Sequence, residues 1–82
     1  ERVDLYPVPA QDVTYLSVDG TFAGDIHVTI IDPTGKVLGI QTLRKETKFS
    51  IFEIPVQMLK PGIYLLRVDM GDKSVVKRIV KN

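Results

Sequence analysis

In Asp25-Ile26-His27-Val28-Thr29-Ile30 the branched apolar residues occupy every second position. That is the period of a pleated strand with one face buried and one in water. Tyr64, Leu66, Val68 and Met70 alternate in the same way against Arg67 and Asp69, and Ser74, Val76, Arg78 and Val80 alternate with Val75, Lys77, Ile79 and Lys81. Shorter runs at Val3 to Tyr6, Val13 to Val18, Val37 to Gln41 and Lys48 to Ile54 bring the prediction to about seven strands. Within Lys48 to Ile54 the phase slips between Ile51 and Phe52, which predicts a bulge or a strand buried on both faces. No stretch of useful length has helical period, and Pro55-Val56-Gln57-Met58-Leu59 is read as a short turn crossing one end.

The breaks between runs carry turn chemistry. Asp19-Gly20, Asp32-Pro33-Thr34-Gly35, Lys60-Pro61-Gly62 and Gly71-Asp72 place proline where a fixed φ helps or glycine where a positive φ is needed. Gly71-Asp72 lies between two alternating runs, so the last two strands pair as an antiparallel hairpin. Seven short strands at this spacing predict an all-β chain, a single immunoglobulin-like antiparallel β-sandwich. In Leu59-Lys60-Pro61-Gly62-Ile63-Tyr64 a leucine plugs the end, Pro-Gly turns the chain and a tyrosine opens the next strand. A strand that switches sheets leaves backbone groups unpaired, and a phenol can cap them while its ring stays in the core. The pattern predicts a tyrosine corner; the simpler reading is a core tyrosine at a strand start.

Eighty-two residues allow one domain with one core. The apolar runs are far shorter than the ~20 residues that cross a bilayer, so no direct membrane insertion is expected. The first ten residues contain no secretory leader. With no cysteine there is no disulfide and no thiolate metal site. The net charge of +1 is unevenly distributed: residues 1–35 hold one base against six acids, a net −5, and residues 36–82 hold ten bases against four acids, a net +6. Pairing of strands from the two halves would neutralise part of this, and the alternative is a basic interaction end.

Little in the chain points to catalysis. His27 is the only histidine and shares a polar strand face with Asp25, two ligands where a metal site needs three or four. Ser17, Ser50 and Ser74 lack a nucleophile-elbow context. No metal and no cofactor is expected. Lys73, Lys77, Arg78 and Lys81 could be a nucleic-acid footprint, but the few aromatics are mostly core candidates and single-strand binders need exposed ones. The preferred reading excludes nucleic acid and gives Lys77 and Lys81 the role of guarding a terminal edge strand.

Four blocks, Leu5-Tyr6-Pro7-Val8-Pro9-Ala10, Ile31-Asp32-Pro33-Thr34-Gly35-Lys36-Val37, Leu59-Lys60-Pro61-Gly62-Ile63-Tyr64-Leu65-Leu66 and Val76-Lys77-Arg78-Ile79-Val80-Lys81, resemble in that order the C-terminal sorting domain of the type IX secretion system. The motif positions are Leu5, Tyr6, Pro7, Pro9, Asp32, Gly35, Lys36 and Leu59. Val8 departs from the family, which usually has Asn between the prolines.

The resemblance implies an address rather than an enzyme. Residues 1–82 would be one sorting domain, with 1–10 an edge strand or lead-in after an upstream linker. In Bacteroidota such domains pass through the periplasm, are recognised by the outer-membrane translocon, and in many proteins are removed by a sortase, leaving cargo at the cell surface or in the medium. By analogy the recognition candidates are Gly62, Tyr64 and Leu66 in one strand and Lys77, Ile79, Val80 and Lys81 in the other. The simpler reading of Tyr64 and Leu66 is again the core. A lysine-bearing terminal strand with an accessible edge invites strand addition, docking in an acidic groove, or a weak homodimer. The competing reading is a non-catalytic immunoglobulin-like accessory or adhesion module, which needs the same strands but no special C-terminus.

Overall fold

The computed structural model describes residues 1–82, and every run of alternation forms a strand: β1 (Arg2–Tyr6), β2 (Val13–Asp19), β3 (Gly24–Ile31), β4 (Val37–Lys45), β5 (Phe49–Pro55), β6 (Gly62–Met70) and β7 (Lys73–Lys81). All strand pairings are antiparallel. They form a three-stranded sheet in the order β1-β2-β5 and a four-stranded sheet in the order β4-β3-β6-β7, the layout of an immunoglobulin-like sandwich. The inner phases face each other. Val3, Leu16, Val18 and Ile54 from one sheet meet Ile26, Val28, Leu66, Val68, Met70 and Ile79 from the other, within a core of 15 buried residues.

Gly71-Asp72 closes the hairpin with Met70 opposite Lys73. In the β3–β4 turn Gly35 donates its N–H to the Asp32 carbonyl at 2.9 Å.

Two local expectations are corrected and a third holds in part. β5 is neither bulged nor buried on both faces: its register with β2 is continuous from Asp19↔Phe49 to Val13↔Pro55. It is an edge strand whose outer face is open water, so Phe49 and Ile51 stay exposed while Ile54 reaches the core. The register shift lies at Ile30/Ile31, between β3 and β4. β4 continues to Lys45, because its polar half pairs with β3 as regularly as its apolar half. Strands of the two halves do pair, β2 with β5 and β3 with β4 and β6, but ion pairing between the halves is slight. Of three surface ion pairs, Arg2–Asp4 and Arg67–Asp69 lie within one half each, and only Arg44–Asp25 joins them.

The molecule measures 34 × 22 × 16 Å and its two ends differ. At one end, the N-terminal pole, the Glu1 carboxylate accepts the Phe22 N–H at 2.9 Å. This bond holds its acidity stronger than ordinary, with a smaller contribution from nearby cations. Lys45 lies beneath and is fully buried. Its ammonium donates to the carbonyls of Gly20, Thr47 and Phe22 at 2.7, 2.7 and 2.9 Å, which matches the three donors of an ammonium group to three acceptors. The opposite end, the C-terminal pole, gathers the Pro7–Ala10 segment, the 32–36 turn, the 56–61 crossing and the chain end.

Candidate functional site

The C-terminal pole is built from the crossing outward. After β5, Val56 donates its N–H to Asp12 at 2.8 Å and Leu59 donates to the carbonyl of Val56 at 3.0 Å, so the crossing is one tight turn with Val56 and Leu59 buried. Met58, between them, is 66% exposed. Gly62 then opens β6 with φ +155°, a value that L side chains rarely adopt. A Cβ there would meet only the Tyr64 ring at 3.9 Å, so conformation rather than space calls for glycine. The Tyr64 hydroxyl donates to the Lys60 carbonyl at 2.6 Å, and the tyrosine corner predicted from the sequence is formed.

The chain end is fastened to the same crossing. After β1 the backbone leaves the three-stranded sheet through Tyr6-Pro7-Val8-Pro9, with both X-Pro bonds cis, and reaches the far side of β7. There the Ala10 N–H donates to Val80 at 2.7 Å, and the Asn82 N–H donates to Ala10 at 2.9 Å, a one-residue parallel bridge. The Lys81 ammonium turns inward and donates to the carbonyls of Leu59 and Val56 at 2.9 and 3.0 Å.

Two expectations about the terminal edge are thereby overturned. The end of β7 is not an accessible backbone edge, because Ala10 occupies it. Lys81 does not guard that edge, because its ammonium is turned onto the crossing, where it supplies a donor to the Leu59 carbonyl and a second one to Val56.

The third part of the pole is the β3–β4 turn. Asp32 Oδ1 accepts from the Thr34 hydroxyl at 2.6 Å and from the N–H groups of Lys36 and Thr34, both at 2.9 Å. The Thr34 hydroxyl, then Lys36 N–H, hold its carboxyl below the usual carboxylate range. With that oxygen committed to the turn, neither Lys36 nor Lys60 is engaged by a carboxylate. Between turn and crossing lies an open groove of ≈ 680 Å³ whose lining includes Asp32, Lys36, Leu38, Met58, Lys60, Ile63 and Tyr64.

Of the residues singled out in the sequence, five from two separate stretches meet at this groove. Asp32, Lys36, Leu59, Gly62 and Tyr64 line the groove. Pro7 and Pro9 carry the chain to Ala10, and Gly35 shapes the turn. Leu5 packs against the core while Tyr6 lies outside it, its ring 6.0 Å from that of Tyr15. Leu66 and Ile79 are wholly interior, as Tyr64 nearly is. Val80, Lys81 and Lys77 are half-buried on β7. Sequence reasoning missed the surface residues of the pole, namely Leu38, Met58 and Ile63, all exposed. The signal was present for Ile63: in Gly62-Ile63-Tyr64-Leu65-Leu66 both phases are apolar, and a sandwich strand has only one inner face.

Other chemistry stays dispersed. His27 Nδ1 lies 3.2 Å from the Thr42 hydroxyl, and Asp25 pairs with Arg44. No three His, Cys, Asp or Glu side chains cluster. The Tyr6–Tyr15 pair sits on the sheet opposite the basic β7 strand.

The family described as "Secretion system C-terminal sorting domain" matches residues 4–82. No curated protein matches the chain.

Proposed function

Because the chain belongs to the secretion-system C-terminal sorting domains, those of type IX secretion, we propose that residues 1–82 are one transport address whose C-terminal pole is what the export machinery reads. The family serves as a sorting signal, and the cargo it labels is destined for the cell surface or the extracellular space. The finer reading is that the outer-membrane translocon docks on the groove between the 32–36 turn and the 56–61 crossing, and that a sortase then separates domain from cargo.

One observation carries it: the four blocks of the resemblance, scattered over the sequence, meet at one pole. That pole presents Met58 and Ile63 between the cations Lys36 and Lys60, a surface fitted to an apolar patch with an acidic rim. A cargo joined to Glu1 would leave from the opposite pole, so the docking end faces away from it. Gly62, Tyr64, Leu66, Ile79 and Lys81 act in this reading by holding the pole in shape, and Lys77 and Val80 extend its flank.

The experiment is a folded reporter fused ahead of Glu1 in a bacterium with an active type IX system. Deleting Lys77 to Asn82 is a poor test, since it also removes Ile79 from the core and Ala10's partner. Lys36→Glu with Lys60→Glu alters only exposed charge. Periplasmic retention of a folded double variant supports the reading, and normal surface delivery overturns it. The mass of the delivered reporter shows whether the domain was removed.

A further inference from the structure

Each sheet has two edges, and three of the four edge strands are blunted. β1 carries Arg2 and Asp4 and runs into Pro7; β5 carries Glu53 and ends in Pro55; β7 carries Lys73, Lys77 and Arg78 and is closed at its end by Ala10. These are the usual devices against edge-to-edge pairing. β4 has no proline, and its only charged residues, Arg44 and Lys45, stand at its end. From Val37 to Leu43 it contains no charge and no proline, and nothing but β3 hydrogen-bonds to its backbone.

The ladder fixes which groups are free. In antiparallel strands the N–H and C=O of one residue point to the same side, and sides alternate along the strand. Val80 and Asn82 face Ala10, so the pairings β7–β6, β6–β3 and β3–β4 turn Gly39, Gln41 and Leu43 toward β3. Ile40, Thr42 and Arg44 are left with their backbone groups on the open edge. Ile40 is also 73% exposed.

Beside this edge the sandwich is incomplete. The inner positions of β4 include Gly39 and Gln41, too small or too polar to cover the neighbouring core. An open cleft of ≈ 210 Å³ remains, lined by Val28 and Ile30, by Gly39 and Gln41, and by Ile54 and Met58 among others. A strand added along β4 would project alternate side chains over that cleft. Backbone bonds with pockets for alternate side chains are the two parts of peptide recognition by strand addition.

We propose that the free edge of β4 accepts an extended peptide segment with apolar inward residues and a carboxylate near each end. Charge selects this occupant. Lys36 and Arg44 bracket the uncharged stretch, about 27 Å apart in an extended chain. One oxygen of Asp32 is committed to its turn and no carboxylate pairs with the Lys36 ammonium, and the exposed Asp25 engages one guanidinium nitrogen of Arg44, leaving other donors free. A second copy paired antiparallel about Ile40 would set Lys36 opposite Arg44 of the copy, like charge against like, a clash that an acidic-ended peptide avoids. The site does not depend on the sorting reading, and its edge leads away from the C-terminal pole.

The test uses the folded domain, isotope-labelled, and a fluorescent peptide of sequence Asp-Val-Thr-Leu-Thr-Leu-Thr-Val-Asp, which reads the same chemically in either direction of pairing. Binding should protect the amides of Ile40, Thr42 and Arg44 from exchange. Replacing the terminal aspartates by lysines should weaken binding about tenfold at low salt, less at high salt. Thr42→Pro removes a free N–H without breaking a ladder bond, as proline on an edge allows, and Ile40→Lys places a charge on the exposed face. Each should weaken binding by about tenfold or more while the domain stays folded. Absence of peptide binding by the folded domain, equal binding by both variants, protection mapped to another edge, or dimerisation through β4 without peptide binding would each overturn the proposal.

Discussion

The Lys81 ammonium donates a hydrogen bond to the carbonyl of Leu59 at 2.9 Å, and a second to Val56, so the last strand is pinned to the crossing that opens β6. Replacing Lys81 by methionine keeps the stem and removes both bonds, leaving the part-buried Leu59 carbonyl without a donor and the Val56 carbonyl with the Leu59 N–H alone. The expected loss is on the order of 1–3 kcal/mol, read as a lower urea midpoint with unchanged slope. Arginine should restore part of it. A sorting defect in the methionine variant that follows its loss of stability would assign Lys81 to the architecture of the pole rather than to direct contact.

Tyr64→Phe separates the ring from the hydroxyl. The ring keeps its place against the core, and only the 2.6 Å bond to Lys60 is lost. Stability should fall by about 1 kcal/mol, with faster amide exchange confined to residues 56–62 and little change in β2 or β3. Uniform acceleration across the sheet would mean that the corner is not a local clamp.

Acid should loosen the β3–β4 turn. Asp32 is held below the ordinary carboxylate range in the folded chain, by the Thr34 hydroxyl first and Lys36 N–H next. Its contribution is therefore complete above the unfolded-state pKa and is lost as pH falls toward the folded value. Asp69, lowered by the Ser74 hydroxyl and then Arg67, and Glu1, lowered by Phe22 N–H, act in the same direction. Asp32→Asn should reduce stability at neutral pH, flatten but not abolish the acid dependence, and converge on the parent chain at low pH. Urea midpoints measured as a function of pH would check this.

The strands, the hairpin at Gly71-Asp72, the Asp32 turn and the tyrosine corner were all legible in the sequence, because each rests on residues near one another in the chain. Alternation reports one buried face, and turn chemistry reports where it stops. The roles of single polar groups were not legible. Lys81 looks like an edge guard until the crossing is folded beneath it, and Ala10 shows no sign that it will lie along β7. Phe49 and Ile51 misled for a related reason: an apolar residue on an edge strand has the same letters as one in the core, and only the packing decides.

Lys45 is the sharpest case of this kind. Arg44-Lys45-Glu46 reads as the polar end of a strand, yet Lys45 is 0% exposed and its ammonium joins Gly20 and Phe22 of the β2–β3 loop to Thr47 of the β4–β5 loop. One side chain thus ties two loops of the N-terminal pole together and leaves no donor spare. Burial of a charge is tolerated where every hydrogen finds an oxygen, and removing that charge strands the oxygens instead. Lys45→Met should therefore cost on the order of 3 kcal/mol, more than Lys81→Met, and should loosen residues 20–23 and 46–48 while leaving the bond from Tyr64 to Lys60 intact. Arginine is not expected to rescue it, because a planar guanidinium cannot point three donors along the directions that an ammonium uses. Amide exchange at both poles, measured in the same sample, distinguishes this local failure from global unfolding.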